Sequence, residues 1–459
     1  MKIQKLALIF SLYLFSPIYA EDDKVLKPID IFEMESVSDP QMSPDGSKIL
    51  YVRSGSDIMT DKRFSNIWMV NYDGSDHRPI TSGKNGNSHP RWSPDGKQII
   101  YVSSESGSSQ IYKRWMDTGE TTVLTNVQTS PHGISWSPDG KSIAYFGTVT
   151  TGADFSVDLP SPPEGAEWAK PAKVIDRLVY RFDGVGYLKG YKHLFVIPSE
   201  GGTARQLTSG RFNFATYRGG QTVWSTDSKH IYVPTNLDED WEAEGPWNQS
   251  DIFQISINSG KMKKLTDIDG PENNPMPSPD GKYIAYTGYK SKKMATQIDK
   301  IYLMDLKNNK IREVKTNLDR SASNIQWSSD SKNIFFLYAD KGNTKIGKTN
   351  LRGKNDIMVS NVGRGYSMAN DGRFVFITTN PNLPSDLAVS RTTGRAPKII
   401  TNVNNDLLSN KELSQVEEIW YKSSHDGLDI QGWIMKPPGF DPSKKYPLII
   451  KIHGGPFAN

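Results

Sequence analysis

The chain has no cysteine among its 459 residues. That excludes disulfides, thiolate metal sites and a cysteine nucleophile, and leaves burial and backbone pairing to hold the fold. No run of five or six Lys/Arg occurs and the net charge of +4 is spread along the chain, so no nucleic-acid partner is indicated. Past residue 20 no apolar run approaches the length that spans a bilayer. The seven histidines are His77, His89, His132, His193, His230, His425 and His453, and no two lie at helical or finger spacing. No metal site is therefore read, and no cofactor is implied. No G-x-S-x-G elbow is present. The nearest match, Gly365-Tyr366-Ser367-Met368-Ala369, lacks the final glycine and overlaps a repeat turn, so it is read as structural.

Three features stand out among what is present. The first is the opening MKIQKLALIFSLYLFSPIYA. Lys2 and Lys5 precede an apolar core from Leu6 to Phe15, and small or turn-forming residues lead to Ala20. This is the pattern of a secretory signal over residues 1–20, with a core too short to span a membrane. The mature protein is expected to be secreted or periplasmic, with no membrane span after signal removal.

The second is a repeat. MSPDGSKILYV (42–52), WSPDGKQIIYV (92–102), WSPDGKSIAYF (136–146), WSTDSKHIYV (224–233), PSPDGKYIAYT (277–287), WSSDSKNIFFL (327–337) and the decayed MANDGRFVFIT (368–378) are seven copies of one phrase. In Ser-Pro-Asp-Gly, proline suits the second position of a type I turn and glycine the left-handed position after it. The Lys-x-Ile-x-Tyr that follows alternates like a half-buried strand. The preceding Trp is expected to pack between neighbouring units. A second phrase follows each first one, from IWMVNYDG (67–74) to DLAVSRTTG (386–394), and most copies close with a short strand such as RQLTSG. Each period is thus a four-stranded antiparallel meander, and seven periods predict a seven-bladed β-propeller over residues 21–402. Two longer connections interrupt it: an insertion over 147–190, and the acidic, aromatic NLDEDWEAEGPWNQS (236–250).

The third feature is residues 403–459, where the repeat is gone. KELSQVEE (411–418) reads as a short helical or extended linker. EEIWYKSS, a His425-Asp426-Gly427 turn and LDIQGWIMKPP predict an antiparallel hairpin. The apolar YPLIIKI predicts a strand buried on both faces, emptying into His453-Gly454-Gly455-Pro456. Hairpin, buried strand and glycine loop in that order open an α/β-hydrolase domain, in which such a loop supplies an oxyanion-hole amide.

The SPDGK repeats, DRLVYRFDGVGYLKGYKHLFV and SSHDGLDIQGWIMKPPGFDPSKKYPLIIKIHGGPFA, in that order, resemble the prolyl oligopeptidase family of serine peptidases, in its acylaminoacyl-peptidase and dipeptidyl-peptidase V branch. The resemblance implies a propeller that limits entry to short peptides. It also implies a hydrolase domain cleaving them through a Ser-Asp-His triad. Gly455 would then offer its N–H to the oxyanion, beside Gly454 and with His453 where some relatives carry tyrosine. The triad residues are not found, so the chain is read as an N-terminal part that does not hydrolyse peptides alone. In dipeptidyl-cleaving relatives propeller carboxylates hold the substrate amine; Glu164, Glu167, Glu242 and Glu244 are the candidates here. The competing expectation is a TolB-like periplasmic propeller that binds a partner protein, for which residues 403–459 have no use.

Overall fold

A computed structural model describes residues 24–150, 160–169, 173, 175, 177–216, 220–238, 249–294, 296–394 and 396–454. The seven predicted meanders are there as seven four-stranded antiparallel sheets. The first runs from Ser36–Met42 through Lys48–Asp57 and Lys62–Asn71 to Arg78–Pro79. The seventh runs from Val362–Met368 to Lys398–Ile399. First strands of neighbouring blades contact one another at most joints, blades 7 and 1 included, and so line the axis. The meander puts the turns after first and third strands on one face of the ring. The connections after second and fourth strands lie on the other.

The SPDG turn is a small hydrogen-bonded module. Ser43 donates its hydroxyl to Asp45 Oδ1 at 2.6 Å and accepts the Lys48 amide at 2.9 Å. The same pair of bonds forms at Ser93, Ser137, Ser225, Ser278 and Ser328. The Ser43 hydroxyl and the Ser47 amide hold the Asp45 carboxyl down to about 2. Gly46 takes the left-handed position at φ +69°. Two blades break the glycine rule, with Ser228 at φ +60° and Ser331 at φ +59°. Each serine offers something glycine cannot. Ser228 Oγ accepts the Asp139 amide of the preceding blade at 3.0 Å, and Ser331 Oγ accepts that of Asp280 at 3.1 Å. An interblade bond offsets the strain of a left-handed serine.

The repeat tryptophans pack between blades, as expected. Trp92, Trp136 and Trp327 donate Nε1–H to the carbonyls of Gln41, Arg91 and Met276, and Trp224 donates to Ser135 Oγ. A further interaction repeats fourteen residues apart. Thr81, Thr125, Thr208, Thr266 and Thr401, at the end of the fourth strand, each accept a third-strand amide at 2.8–2.9 Å.

Ring closure uses no exchanged strand, because all four strands of blade 7 come from residues 362–399. Val37, Ile49, Tyr51 and Val70 of blade 1 share one buried cluster with Val375, Leu387 and Val389 of blade 7. The Val37 amide donates to Ser385 Oγ at 2.9 Å and the Met42 amide to Ser367 Oγ at 3.0 Å. In the decayed seventh turn Ala369 lacks the hydroxyl, and Arg373 instead pairs with Asp371 and reaches the Asp45 carbonyl at 2.7 Å.

The 147–190 insertion is shorter than predicted at its start. The second strand of blade 3 continues to Val149, and the third begins at Tyr191. The 236–250 connection fills the gap between Thr235 and Asp251. Both excursions leave the second strands of adjacent blades, on the face opposite the SPDG turns.

The chain divides into two compact units, residues 35–403 with 447–459, and residues 1–34 with 404–446. In the latter, the segment before the ring is tied to the segment after it. Lys411 Nζ lies 3.1 Å from Asp30 Oδ2, both side chains nearly buried, and the Glu412 amide donates to the Lys24 carbonyl. A short helix, Asn405–Leu408, stands just before the expected linker. The hairpin forms from Val416–Lys422 and Asp429–Met435. The expected YPLIIKI strand does not form: residues 447–453 pair with nothing, and Leu448, Ile449 and Ile452 are 82, 90 and 82% exposed. An apolar run becomes a strand only when another strand takes up its amides and carbonyls.

Ser137→Ala is expected to cost about 1–2 kcal/mol, because it leaves the Ser142 amide and Asp139 without their buried partner. Chemical denaturation measures this. The depressed carboxyl of Asp45 contributes stability at pH values above about 4, lost as the pH falls toward 2. Ser43→Ala should therefore weaken the acid dependence of the melting temperature.

Candidate functional site

The site is built from the innermost strands and the loops around their ends. First strands slip register by a bulge, between Ser38 and Gln41, Ser88 and Arg91, Asn273 and Met276, and Ser323 and Gln326. The bulge puts Asp39, His89, Gly133, Asn274 and Asn324 in the left-handed region, at φ +46° to +59°. Asp, Asn, His and Gly tolerate it best. Gly133 has no alternative, since a Cβ there would lie 2.0 Å from the Gly220 carbonyl oxygen of the next blade. Residue type at the inner wall is thus set by backbone geometry, and the result is a polar wall.

First strands carry charge on that wall at several blades, among them Asp39, Arg91, Glu272 and Arg364. Arg91 Nη1 bonds Asp39 Oδ2 at 2.8 Å, bridging blades 2 and 1, and Gln41 Nε2 holds the other carboxylate oxygen at 2.7 Å. Burial and the Arg91 cation lower His89, and burial with Lys192 and His89 nearby pulls His132 down to about 4. Burial also brings Lys192 down to about 8. His89 Nδ1 lies 3.0 Å from Ser88 Oγ. Toward the SPDG face a hollow of about 470 Å³ opens between Met42, Arg91, Trp92, Trp136 and Met368.

Among the described residues no serine–histidine–carboxylate triad is assembled. Ser367, from the elbow-like stretch, sits on the first strand of blade 7 with its hydroxyl on the Met42 amide. His193 is buried against Thr208 and Phe214. Among the described residues no three His, Asp or Glu side chains gather as a metal site would require.

The sequence candidates fall as follows. Glu164 and Glu167 are exposed on the blade 3 excursion. Glu242 and Glu244 belong to the blade 4 excursion and lie outside the described residues, as does Gly455. His453 and Gly454 are exposed, with His453 Nδ1 3.0 Å from the Gly454 carbonyl oxygen. Topology starts the two excursions from one face of neighbouring blades, after Val149 and Thr235. Sequence reasoning missed the wall itself. Its signal was Asp39-Pro40, His89-Pro90 and Asn274-Pro275, a left-handed-tolerant residue before proline at the same distance from each SPDG turn.

A family model described as the TolB beta propeller domain matches residues 27–160. Over 455 residues the chain is 30% identical to the uncharacterized peptidase YuxL of Bacillus subtilis, covering 94% of this chain and 67% of that protein. The chain belongs to the prolyl oligopeptidase family. Another family member, dipeptidyl-peptidase 5 of Porphyromonas gingivalis, is 26% identical over 455 residues, covering 94% and 63%. A solved acylaminoacyl peptidase in complex with Z-Gly-Gly-Phe-chloromethyl ketone shares the fold, at a TM-score of 0.69 and 20% identity over 93% of this chain and 61% of that one. The propeller domain of the Pyrococcus furiosus Trilobed protease, described as having an open velcro topology, aligns over 81% of this chain and 97% of its own at a TM-score of 0.56 and 17% identity. The chain therefore spans about two thirds of the length of these curated family members. The ring is a propeller of the kind found in acylaminoacyl- and dipeptidyl-peptidase-like proteins.

The inner wall gives a direct check. His132 is expected to titrate near 4 in the folded protein, against about 6.5 unfolded. A lowered folded value means stability present above pH 6.5 and lost as the pH falls toward 4. NMR titration of the imidazole measures it, and a midpoint above 6 would contradict the burial argument.

Proposed function

We propose that the ring is the substrate-restricting part of an exported serine exopeptidase of the acylaminoacyl or dipeptidyl type, acting on short peptides. Catalysis would come from a hydrolase domain that opens with the Val416–Met435 hairpin and the 447–455 run. The observation that carries this reading is the match to peptidases along nearly the whole chain, residues after 403 included. A pure propeller has no use for a hairpin that exposes Trp420, Tyr421, Trp433 and Met435. Those side chains suit a larger sheet, as does the unpaired 448–452 run, whose peptide groups need a neighbouring strand. In this reading Gly455 lends its amide to the oxyanion, and His453 and Gly454 shape the loop around it. Glu164, Glu167, Glu242 and Glu244 stand on the two excursions as candidate partners for a substrate ammonium.

The match of residues 27–160 to the TolB propeller model supports a second reading, a periplasmic module that binds a protein partner. It leaves the segment after 403 without a role.

Purified 459-residue chain is expected to show no turnover of aminoacyl or dipeptidyl chromogenic substrates. Turnover blocked by a serine-directed inhibitor would overturn this. In a full-length protein carrying the hydrolase domain, Glu167→Gln is expected to raise KM for free-amine dipeptides severalfold, with N-acylated substrates little affected. Equal loss on both would remove Glu167 from amine recognition.

A further inference from the structure

Charge that looks evenly spread along the chain is segregated around the ring. On the SPDG face each first-to-second-strand turn carries one acid and one base, such as Asp95 with Lys97 or Asp280 with Lys282, and is close to neutral. The third-to-fourth-strand turns on that face are not. Blade 1 carries Asp73 and Asp76 there, blade 2 Asp117 and Glu120, and blade 3 Glu200, all exposed. Blade 4 carries Lys261, blade 5 Lys307 and Lys310, and blade 6 Arg352 and Lys354, again all exposed.

One structural position separates blade 2 from blades 4 to 6, while in blade 1 it holds the neutral Ser75, bonded by the Asn71 amide. In blade 2 the residue whose carbonyl closes the turn is Glu120, bonded by the Trp115 amide. In blades 4, 5 and 6 the residues closing it the same way are Lys261, Lys310 and Lys354, bonded by the amides of Ser256, Asp305 and Asn350. Counter-charges trim both arcs: on the fourth strands, exposed Arg205 stands in the acidic arc at blade 3 and exposed Asp356 in the basic arc at blade 6. Arg78 pairs with Asp76 at 3.0 Å, and Lys113 stands 3.6 Å from Glu200. On the basic side the half-buried Asp305, which accepts the amides of Lys307 and Asn308, remains a counter-charge to that arc. Lys263 and Arg312, both exposed, extend the basic arc onto the fourth strands. Blades 1 to 3 are contiguous, and so are blades 4 to 6, so the face has an acidic arc beside a basic arc. It is also the face from which neither end of the ring, at Glu35 or Val403, emerges.

A surface split this way complements itself. A two-fold axis lying in the face, perpendicular to the acid-to-base direction, sets each arc on its opposite in a second copy. We propose that this face is a self-association surface, with the acidic arc of one copy on the basic arc of another. A uniformly anionic partner such as a lipid surface suits it less, since blades 1 to 3 would be repelled. The attraction is between exposed charges and is therefore steep in ionic strength.

Sedimentation velocity of the intact chain tests this with two variants. One replaces Lys307, Lys310 and Arg352 by Glu; the other replaces Asp73, Asp117 and Glu120 by Lys. Circular dichroism confirms that each folds. The wild type should dimerise at about 20 mM salt and weaken at least tenfold by about 500 mM, since screening shortens from tens of ångströms to a few. Each variant alone should stay monomeric, and an equimolar mixture of the two should form a 1:1 complex. A wild type that is monomeric at low salt, a dimer indifferent to salt, or a mixture that fails to associate would each overturn the proposal. So would binding of monomeric wild type to phosphatidylglycerol vesicles that is lost in the Lys/Arg→Glu variant, which assigns the basic arc to an anionic surface.

Discussion

Every blade in this ring is too thin to bury its own two faces. Each sheet covers one face with the preceding blade and the other with the next, so the structure depends on the ring closing. Six of the seven joints follow from chain order. The seventh, between blades 7 and 1, has no connecting loop and no shared strand, and rests on a common apolar cluster and a few side-chain-to-backbone bonds. The cluster is buried and the Val37 and Met42 amides have partners across the joint, so closure needs no shared strand. The seam uses the same kinds of bond as the other joints: Ser385 and Ser367 accept amides across it, as Ser228 and Ser331 do elsewhere, and Arg373 reaches across to the Asp45 carbonyl.

The repeat explains both the regularity of the ring and its exceptions. Ser and Asp in the turn satisfy each other and the next strand's amide, so the turn forms from local residues. Where the phrase drifts, the structure uses the change. Serine for glycine at 228 and 331 adds an interblade bond, and loss of the hydroxyl at Ala369 coincides with the arginine that crosses the seam. The inner wall has the same character. A bulge repeated around the axis demands left-handed residues, and those available to it are polar or glycine.

Much of this was legible in the sequence, for a physical reason. Turn chemistry and two-residue alternation are local, so seven SPDG-like phrases were enough to give blade number, strand order and the interblade tryptophans. What was not legible depends on partners distant in the chain. Leu448-Ile449-Ile450 reads as a strand by composition, yet without a neighbour it is exposed backbone. The bulged Asp39, His89 and Asn274 look like ordinary loop residues until register shows the slip. The candidate carboxylates were chosen from loop composition, and the topology adds only that their two loops start from the same face of adjacent blades. Charge segregation was present in the sequence but invisible along it, because the relevant turns are about 40–50 residues apart and meet only on the ring.

The ring is complete without strand exchange, whereas the apolar run at 447–452 is exposed and forms no strand. Hydrogen–deuterium exchange on the intact chain tests both halves at once. Amides of Lys48–Asp57 in blade 1 and Arg373–Asn380 in blade 7 should be protected as strongly as those of Tyr283–Gly288 in blade 5, with 447–452 exchanging immediately. Rapid exchange confined to blades 1 and 7, or strong protection of 447–452 in a monomer, would contradict it.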